Sequence, residues 1–155
     1  MKPSVLLLFP LLFATACASK APLTYNDDMI VPGKRVGEVM IGMDLQQLMA
    51  LKGAPLQTIP IKGTAATTYA FDGLTVGAHD KVYWIVARDG RFHTAAGVAP
   101  GVEQITARAA LGEPNCVASA ADVTTYDYGD LYFDVDNSTG KVREVGVQKE
   151  TATCG

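Results

Sequence analysis

The sequence has no long hydrophobic run and no cluster of basic residues. No apolar stretch in its 155 residues reaches the roughly 18 residues that predict a membrane-spanning helix. Thirteen lysines and arginines stand against sixteen aspartates and glutamates, so the chain offers no basic surface that would displace counterions from nucleic acid. Because 48% of the residues are hydrophobic, a disordered chain is excluded as well. We therefore expect a globular protein with no nucleic-acid partner.

Residues that carry catalysis or bind metals are also scarce. Neither His79 nor His93 has a second ligand at metal-binding spacing, and no nucleophile motif or phosphate-binding loop is present. Asp134, Asp136 and Ser138 are spaced like the first ligands of a calcium loop, but the later glycine and glutamate are missing, which favours a hairpin turn. We expect a protein that is not an enzyme, with no cofactor, no metal and no evident small-molecule substrate.

The first residues have the layout of a secretory signal peptide. Lys2 precedes an almost wholly apolar stretch over residues 5–13, and small residues at 14–16 lead to Cys17. Small residues before a cysteine resemble the lipobox of bacterial lipoproteins, in which cleavage precedes the cysteine and its thiol receives lipid. The resemblance implies a signal peptide over residues 1–16, a lipid on Cys17, and attachment through this lipid to the periplasmic face of the outer membrane. Ordinary cleavage, giving a soluble periplasmic or secreted protein, is the alternative.

The chain after the signal peptide divides into a tether and a domain. Residues 17–36 are predicted to form a lipidated N-terminus and tether, because most of this segment is small and polar with little periodicity. An ordered arm that packs through Tyr25, Met29 and Ile30 is the alternative. Residues 37–155 are predicted to form a single globular domain.

The predicted domain contains an internal repeat. Residues 42–55 align without a gap with residues 101–114, and both segments begin with Gly and end with Gly-x-Pro. Further matches follow in the same order, Thr67-Thr68-Tyr69 with Thr124-Thr125-Tyr126 and Lys81-Val82 with Lys141-Val142. We therefore divide the domain into two repeats, about residues 37–90 and 91–150.

Each repeat is predicted to be a short helix followed by a three-stranded antiparallel meander. Asp44 and Gln47 have the spacing of a capping box, and Gly53 is expected to end the first helix. Alternating residues predict strands over 67–72, 74–76 and 81–87, and over 124–128, 131–135 and 141–147. One unit alone would bury little surface. The predicted fold class is therefore α+β, with two tandem units that share one core and with helices layered on the sheet.

Two family resemblances follow from this pattern. The first repeat resembles the BamE/SmpA family of outer-membrane lipoproteins. The resemblance consists of Gly42-Met43, a polar cap, an apolar helix, Gly-x-Pro and a meander, in that order. Tandem duplication of that unit in an exported chain resembles the β-lactamase inhibitor protein (BLIP-like) family. The second resemblance implies a sheet face that clamps an enzyme and loops that block its active site. Those loops would be residues 58–66 and 117–123.

Strand alternation sorts the side chains of the predicted sheet onto two faces. The face toward the helices is predicted to form the core, with Tyr69, Phe71, Leu74, Val76, Ile85, Ala87, Tyr126, Tyr128, Leu131, Phe133, Val135, Val145 and Val147. The opposite face is predicted to bind protein, because an uncovered Trp or Tyr often anchors an interface. Its predicted binding residues are Thr75, Trp84, Val86, Asp127, Tyr132, Asp134 and Glu144. A Trp84 covered by the tether or by a helix is the alternative.

The odd number of cysteines suggests that one has a separate role. If Cys17 is lipidated or removed, Cys116 and Cys154 remain, and an oxidising compartment favours one disulfide between them. Cys116 also follows a Gly-x-Pro stop, where the BLIP-like resemblance implies a disulfide cysteine. A reactive thiol is the alternative.

Two functional hypotheses are consistent with these features. The first is a lipid-anchored periplasmic module that binds or scaffolds an envelope protein at the outer membrane. The second is a proteinaceous enzyme inhibitor of the tandem β-lactamase-inhibitor type.

Overall fold

The fold is mostly β. The structure, a computed structural model, describes residues 25–149, with 44% strand and 13% helix. Along the chain the elements are β1 (Met29–Val31), β2 (Arg35–Val36), β3 (Val39–Met40), α1 (Leu45–Lys52), β4 (Gln57–Pro60), β5 (Thr67–Phe71), β6 (Leu74–Ala78), β7 (Val82–Ala87), β8 (His93–Thr94), α2 (Gln104–Leu111), β9 (Cys116–Ser119), β10 (Val123–Asp127), β11 (Leu131–Asp136) and β12 (Lys141–Gln148). The predicted α+β class, with helices layered on a sheet in tandem, is therefore wrong.

One eight-stranded antiparallel sheet, here called the large sheet, dominates the molecule. Its strand order is β4-β5-β6-β7-β12-β11-β10-β9, so β7 and β12 join two four-stranded halves. The three-stranded meanders that we predicted lack β4 and β9, which overlap the segments expected to be blocking loops. No apolar alternation marks these edge strands, because all of β4 and most of β9 is exposed to solvent.

Both halves of the large sheet follow a helix, and the two helices are held in the same way. The Gly42 amide donates to the Val82 carbonyl at 2.7 Å, and the Gly101 amide donates to the Val142 carbonyl at 2.7 Å. These four residues occupy equivalent positions in the sequence alignment of the repeats. The same order of one helix and four strands thus occurs twice along the chain.

The two helices end where the sequence predicts but contribute little to the core. Gly53 and Gly112 follow them with φ of 75° and 81°, a backbone region that favours glycine. Each helix has only one buried residue, Leu48 in α1 and Ala107 in α2. Among the described residues, no helix is long and apolar enough to cross a membrane. Leu45, Met49 and Leu111 pack against the core while only partly buried, so the helices cover only part of it.

A second, four-stranded sheet, here called the small sheet, supplies more of the covering layer. Its order is β3-β2-β1-β8, with β1 antiparallel to β2 and parallel to β8. Ile30, Val36 and Val39 from this sheet are at most 1% exposed and belong to the core cluster. The core therefore lies between the large sheet and a layer to which the small sheet contributes three fully buried side chains.

Part of the predicted tether belongs to this small sheet. Strands β1 and β2 lie within residues 17–36, and Arg35 holds the start of the segment by two hydrogen bonds to Asp27, of 2.6 and 3.0 Å. The Arg35 guanidinium also lies 3.9 Å from the centre of the Tyr25 ring. Over residues 25–36 the structure contains the ordered arm, which was the alternative to a tether. Residues 17–24 lie outside the described part of the chain.

The predicted core face of the large sheet is confirmed. Eleven of its thirteen predicted residues are buried in one hydrophobic cluster, and Tyr69 and Tyr128 pack against that cluster. Tyr126 stacks on Phe133 with ring centres 5.0 Å apart. Side chains of both halves therefore share one continuous core.

Replacement of Ile30 by alanine tests whether the N-terminal strand is part of this core. We expect Ile30→Ala to lower the free energy of unfolding by about 2–5 kcal/mol, because it opens a cavity at a buried site. Urea denaturation measures the change. Ile105→Ala is the control, since Ile105 is 79% exposed on α2, and its effect should stay within about 0.5 kcal/mol. Equal effects of the two substitutions would contradict the assignment.

Candidate functional site on the outer face of the large sheet

The face of the large sheet that points away from the core, here called the outer face, carries the residues predicted to bind protein. Thr75, Val86, Gly146 and Tyr132 lie opposite one another on neighbouring strands β6, β7, β12 and β11. Asp134 and Glu144 form the next pair on this face. The structure thus brings residues from both halves of the sequence onto one surface.

A β-bulge on β7 changes which side chains this face carries. Val82 lies opposite Ala78 and Trp84 lies opposite Gly77, so Tyr83 is an extra residue in its strand. A Cβ on Gly77 would lie 3.0 Å from a Trp84 ring carbon and 3.1 Å from a Tyr83 ring carbon. Both rings therefore reach the same side of the sheet, as bulged residues can.

A second bulge lies on β12 at the equivalent position of the repeat. Val142 lies opposite Val135 and Glu144 lies opposite Asp134, which leaves Arg143 as the extra residue. The Arg143 guanidinium approaches the Asp134 carboxylate at 3.9 Å. The two bulges therefore place an aromatic pair on one half of the outer face and a charged pair on the other.

Neither bulge was predicted from the sequence. Strict alternation assigns Tyr83 and Arg143 to the core face, where the charge of Arg143 would be unfavourable. The signal that could have found them is the alignment itself, because each bulge begins directly after the matched Lys-Val pair. A charge at position 143 is incompatible with a buried site, which indicates an irregular strand there and, by the alignment, at Tyr83 as well.

Trp84 and Tyr132 meet at the centre of the outer face. The indole nitrogen of Trp84 donates a hydrogen bond of 2.9 Å to the Tyr132 hydroxyl. The Tyr132 ring covers Gly146, where a Cβ would lie 2.0 Å from a ring carbon. Burial raises the pKa of the Tyr132 hydroxyl above its ordinary value. The pair is therefore packed against the backbone of the sheet and held in one arrangement.

Three of the seven predicted binding residues lie beneath the surface. Thr75, Val86 and Glu144 are at most 8% exposed, whereas Trp84 and Tyr132 are half-buried. The Tyr83 ring, which the sequence-based assignment left out, is 43% exposed beside Trp84. The accessible part of the aromatic surface is therefore made by Tyr83 and by the outer edges of Trp84 and Tyr132.

Charged groups cluster next to the aromatic pair. Arg88 pairs with Glu144 at 3.1 Å, and Asp134 accepts a hydrogen bond of 2.6 Å from the Thr125 hydroxyl. Burial raises the pKa of Glu144, the Arg88 charge lowers it, and the neighbouring Asp134 raises it again. The Arg88 charge thus offsets part of the effect that burial has on the pKa of Glu144.

Asp127, the remaining predicted residue, has a structural role at one end of this face. Its carboxylate accepts a hydrogen bond of 2.7 Å from the Gly129 amide in the turn between β10 and β11. The Gln148 side chain donates to the Gly129 carbonyl at 3.1 Å. Asp127 therefore stabilises the turn that positions Tyr132.

Two concave regions flank the aromatic pair. An open hollow of about 430 Å³ is lined by Tyr83, Trp84, Gln148 and Lys149. A second region of about 360 Å³, here called the Arg88 groove, is lined on the first half of the sheet by Gln57, Ile59, Phe71, Thr68, Ala70, Gly73, Leu74, Thr75 and Arg88. The outer face therefore offers an aromatic hollow at one end of β7 and a groove with a cation at the other.

The remaining predicted sites concern cysteines and metals. Cys116 at the start of β9 is disulfide-bonded and is the only cysteine among residues 25–149. Cys17 and Cys154 lie outside the described residues, so no disulfide joins two described residues, and the pairing of Cys116 with Cys154 stays a prediction.

Within the described part of the chain, no three His, Cys, Asp or Glu side chains come together as a metal site. Asp136 accepts hydrogen bonds from Ser138 and Thr139 and so forms the expected hairpin turn.

Three solved structures are similar to this chain. An extracellular protein containing a SCP domain from Bacillus anthracis shares 13% identity, with a TM-score of 0.52, over 77% of this chain and 50% of that one. A cysteine-rich secretory protein from Staphylococcus aureus shares 16%, with a TM-score of 0.49, over 81% and 48%. A DUF4309 family protein from Bacillus subtilis shares 19%, with a TM-score of 0.47, over 69% and 78%. The chain thus spans about half the length of the first two.

These comparisons correct the family resemblance. The first likeness shows a shared fold, over the matched part, with a protein that contains a SCP domain and not with a BamE/SmpA or BLIP-like protein. No family model and no curated protein sequence matches the chain. The predicted resemblance is wrong because it depends on glycines and prolines that mark the ends of helices. The same residues can end a helix that precedes a four-stranded meander, so they do not distinguish these families.

Substitution of Gly146 tests the packing of Tyr132. We expect Gly146→Ala to lower the free energy of unfolding by about 1–3 kcal/mol, since the new Cβ collides with the Tyr132 ring. Fluorescence of the single tryptophan, Trp84, monitors unfolding in urea.

The control is the same substitution in a Tyr132→Ala background, where the collision is removed. There the further loss should fall below about 0.5 kcal/mol. An equal loss in both backgrounds would show that Tyr132 does not occupy the space above Gly146.

Proposed function

We propose that this protein is an exported, lipid-anchored protein-binding module that docks an envelope protein on the outer face of the large sheet. The observation that carries the proposal is the aromatic surface of Tyr83, Trp84 and Tyr132, which the bulge on β7 and the hydrogen bond between Trp84 and Tyr132 hold in place. The module would act by binding and not by catalysis.

The chemistry of this surface supports protein binding. Tyrosine and tryptophan bury large areas on association at a small cost in side-chain entropy, and they often dominate interfaces. The rings of Trp84 and Tyr132 already rest on Gly77 and Gly146, so little ordering remains to be done when a partner binds. Ile59, 50% exposed on β4, extends the apolar area toward one edge of the sheet.

The N-terminal sequence supports export and lipid attachment. Residues 1–16 have the layout of a signal peptide, and Cys17 stands where bacterial lipoproteins carry their lipid. The similar structure from Bacillus anthracis is described as an extracellular protein, a likeness of fold that is consistent with export. In the proposed arrangement, the lipid on Cys17 holds the domain at the periplasmic face of the outer membrane.

Site-specific cross-linking tests the docking face. A photo-reactive phenylalanine analogue at Tyr83 in the full chain, expressed in its own cells, should yield one dominant adduct with an envelope protein. The analogue at Ile105, exposed on α2, is the control and should yield no adduct with that protein. Adducts from Ile105 alone, or from neither site, would contradict docking on the outer face.

Metabolic labelling tests the anchor. Cells given labelled palmitate should incorporate the label into the wild-type protein and retain it in the membrane fraction, whereas Cys17→Ser should remain unlabelled. Cys116→Ser is the control and should be labelled like the wild type. An unlabelled wild-type protein in the soluble fraction would exclude the lipid and favour the soluble periplasmic or secreted form.

A further inference from the structure

The Arg88 groove has the chemistry of a subsite for an acidic side chain. Of the residues that line it, Arg88 is the only charged one. Its other polar groups are the Gln57 amide and the hydroxyls of Thr68 and Thr75, while Ile59 and Ala70 provide apolar walls. A carboxylate on a short apolar stem would find a cation, hydrogen-bond donors and an apolar wall in one place.

Arg88 is held in position and has donors to spare. Its backbone amide donates to the Gly73 carbonyl at 2.9 Å, which fixes the residue at the rim of the groove. One terminal nitrogen lies 3.1 Å from Glu144, its one ion-pair partner among the described residues, and the side chain is 54% exposed. A guanidinium has five N–H donors, so the exposed side of Arg88 is able to bind a second carboxylate or to exchange partners.

We propose that the Arg88 groove receives an acidic side chain of the partner protein, which replaces Glu144 as the ion-pair partner of Arg88. The inference rests on the proposed function and specifies the chemistry of the partner at that surface. A protein segment suits the geometry better than a small molecule, because the groove and the aromatic hollow lie at opposite ends of the same strand face. Arg88, directly after β7, is four residues from Trp84 on that strand, about 13 Å in an extended chain. An extended partner segment would therefore place an acidic side chain and a large apolar side chain four positions apart.

Displacement of Glu144 from Arg88 would make its carboxyl easier to protonate. Around its carboxyl lie Arg88 from the end of β7, Tyr132 and Asp134 from β11, and Arg143 from β12. Without Arg88, burial and the Asp134 charge both favour the protonated form. Loss of the Arg88 contact on binding would therefore raise the pKa of Glu144 further, so the affinity should fall as the pH rises through that pKa.

Selection from a displayed library of random linear twelve-residue peptides, with the full chain as bait, tests the proposal. We expect enriched peptides to carry Asp or Glu four positions from an aromatic or large aliphatic residue. Arg88→Gln should weaken the best peptide about tenfold, and replacing the acidic residue of the peptide by its amide should do the same. Because both changes remove one ion pair, combining them should cost little more than either alone.

Arg91→Gln is the matched control, since Arg91 is partly exposed and ion-paired with Asp72 but does not line the groove. It should change the affinity less than twofold. Lowering the pH should strengthen binding to the wild type, and Glu144→Gln should remove that dependence. The proposal would be overturned if no peptide is enriched or if the enriched peptides show no acidic preference. Equal effects of Arg88→Gln and Arg91→Gln, or an affinity that rises with pH, would also overturn it.

The failure of this inference is distinguishable from failure of the proposed function. If Tyr83 cross-links an envelope protein and Arg88→Gln leaves that adduct unchanged, the outer face is the docking surface and the acidic subsite is wrong. If the adducts come only from Ile105, the docking face itself is wrong.

Discussion

The antiparallel pairing of β7 with β12 is the contact on which the rest of the molecule depends. Four residue pairs, from Val145 opposite Ala87 to Gln148 opposite Trp84, join two four-stranded halves into one sheet. On the inner side this pairing makes the core continuous. On the outer side it brings Trp84 to Tyr132 and Arg88 to Glu144, two contacts between residues far apart in the sequence. Without this pairing, neither half of the sheet would contain the Trp84–Tyr132 contact or the Arg88–Glu144 contact.

The bulges explain how a duplicated architecture carries two different surfaces. At equivalent points of β7 and β12, one extra residue turns a neighbouring pair of side chains toward the same face. The pair is Tyr83 and Trp84 in the first half, and Arg143 and Glu144 in the second. The β-bulge is therefore common to both halves, while the residues at the bulge decide whether the outer face is aromatic or charged there. An aromatic patch lies beside a charged one as a result.

The parts predicted from the sequence are those with a local physical signature. Gly53 marks the end of α1, and the alternation of residues such as Phe133 and Val135 identifies the core face. Strands β4 and β9 were missed because an exposed edge strand shows no alternation, and β1 was missed because its few apolar residues resemble a tether. For the outer face, the residue types of Trp84 and Tyr132 were informative. Their hydrogen bond, their glycine floor and the inclusion of Tyr83 depend on strand register, which a sequence alone does not reveal.

The position of β1 determines how the domain would respond to a mechanical load. This strand lies between β2 and β8, and the turn after it is held to the second half by the hydrogen bond from the Gly33 amide to the Asp130 carbonyl, 3.0 Å long. A pull directed along β1 from the N-terminal side loads its hydrogen bonds in shear, so that several must break together. A chain tethered at that end would therefore transmit tension into both halves of the large sheet before its N-terminal strand is released.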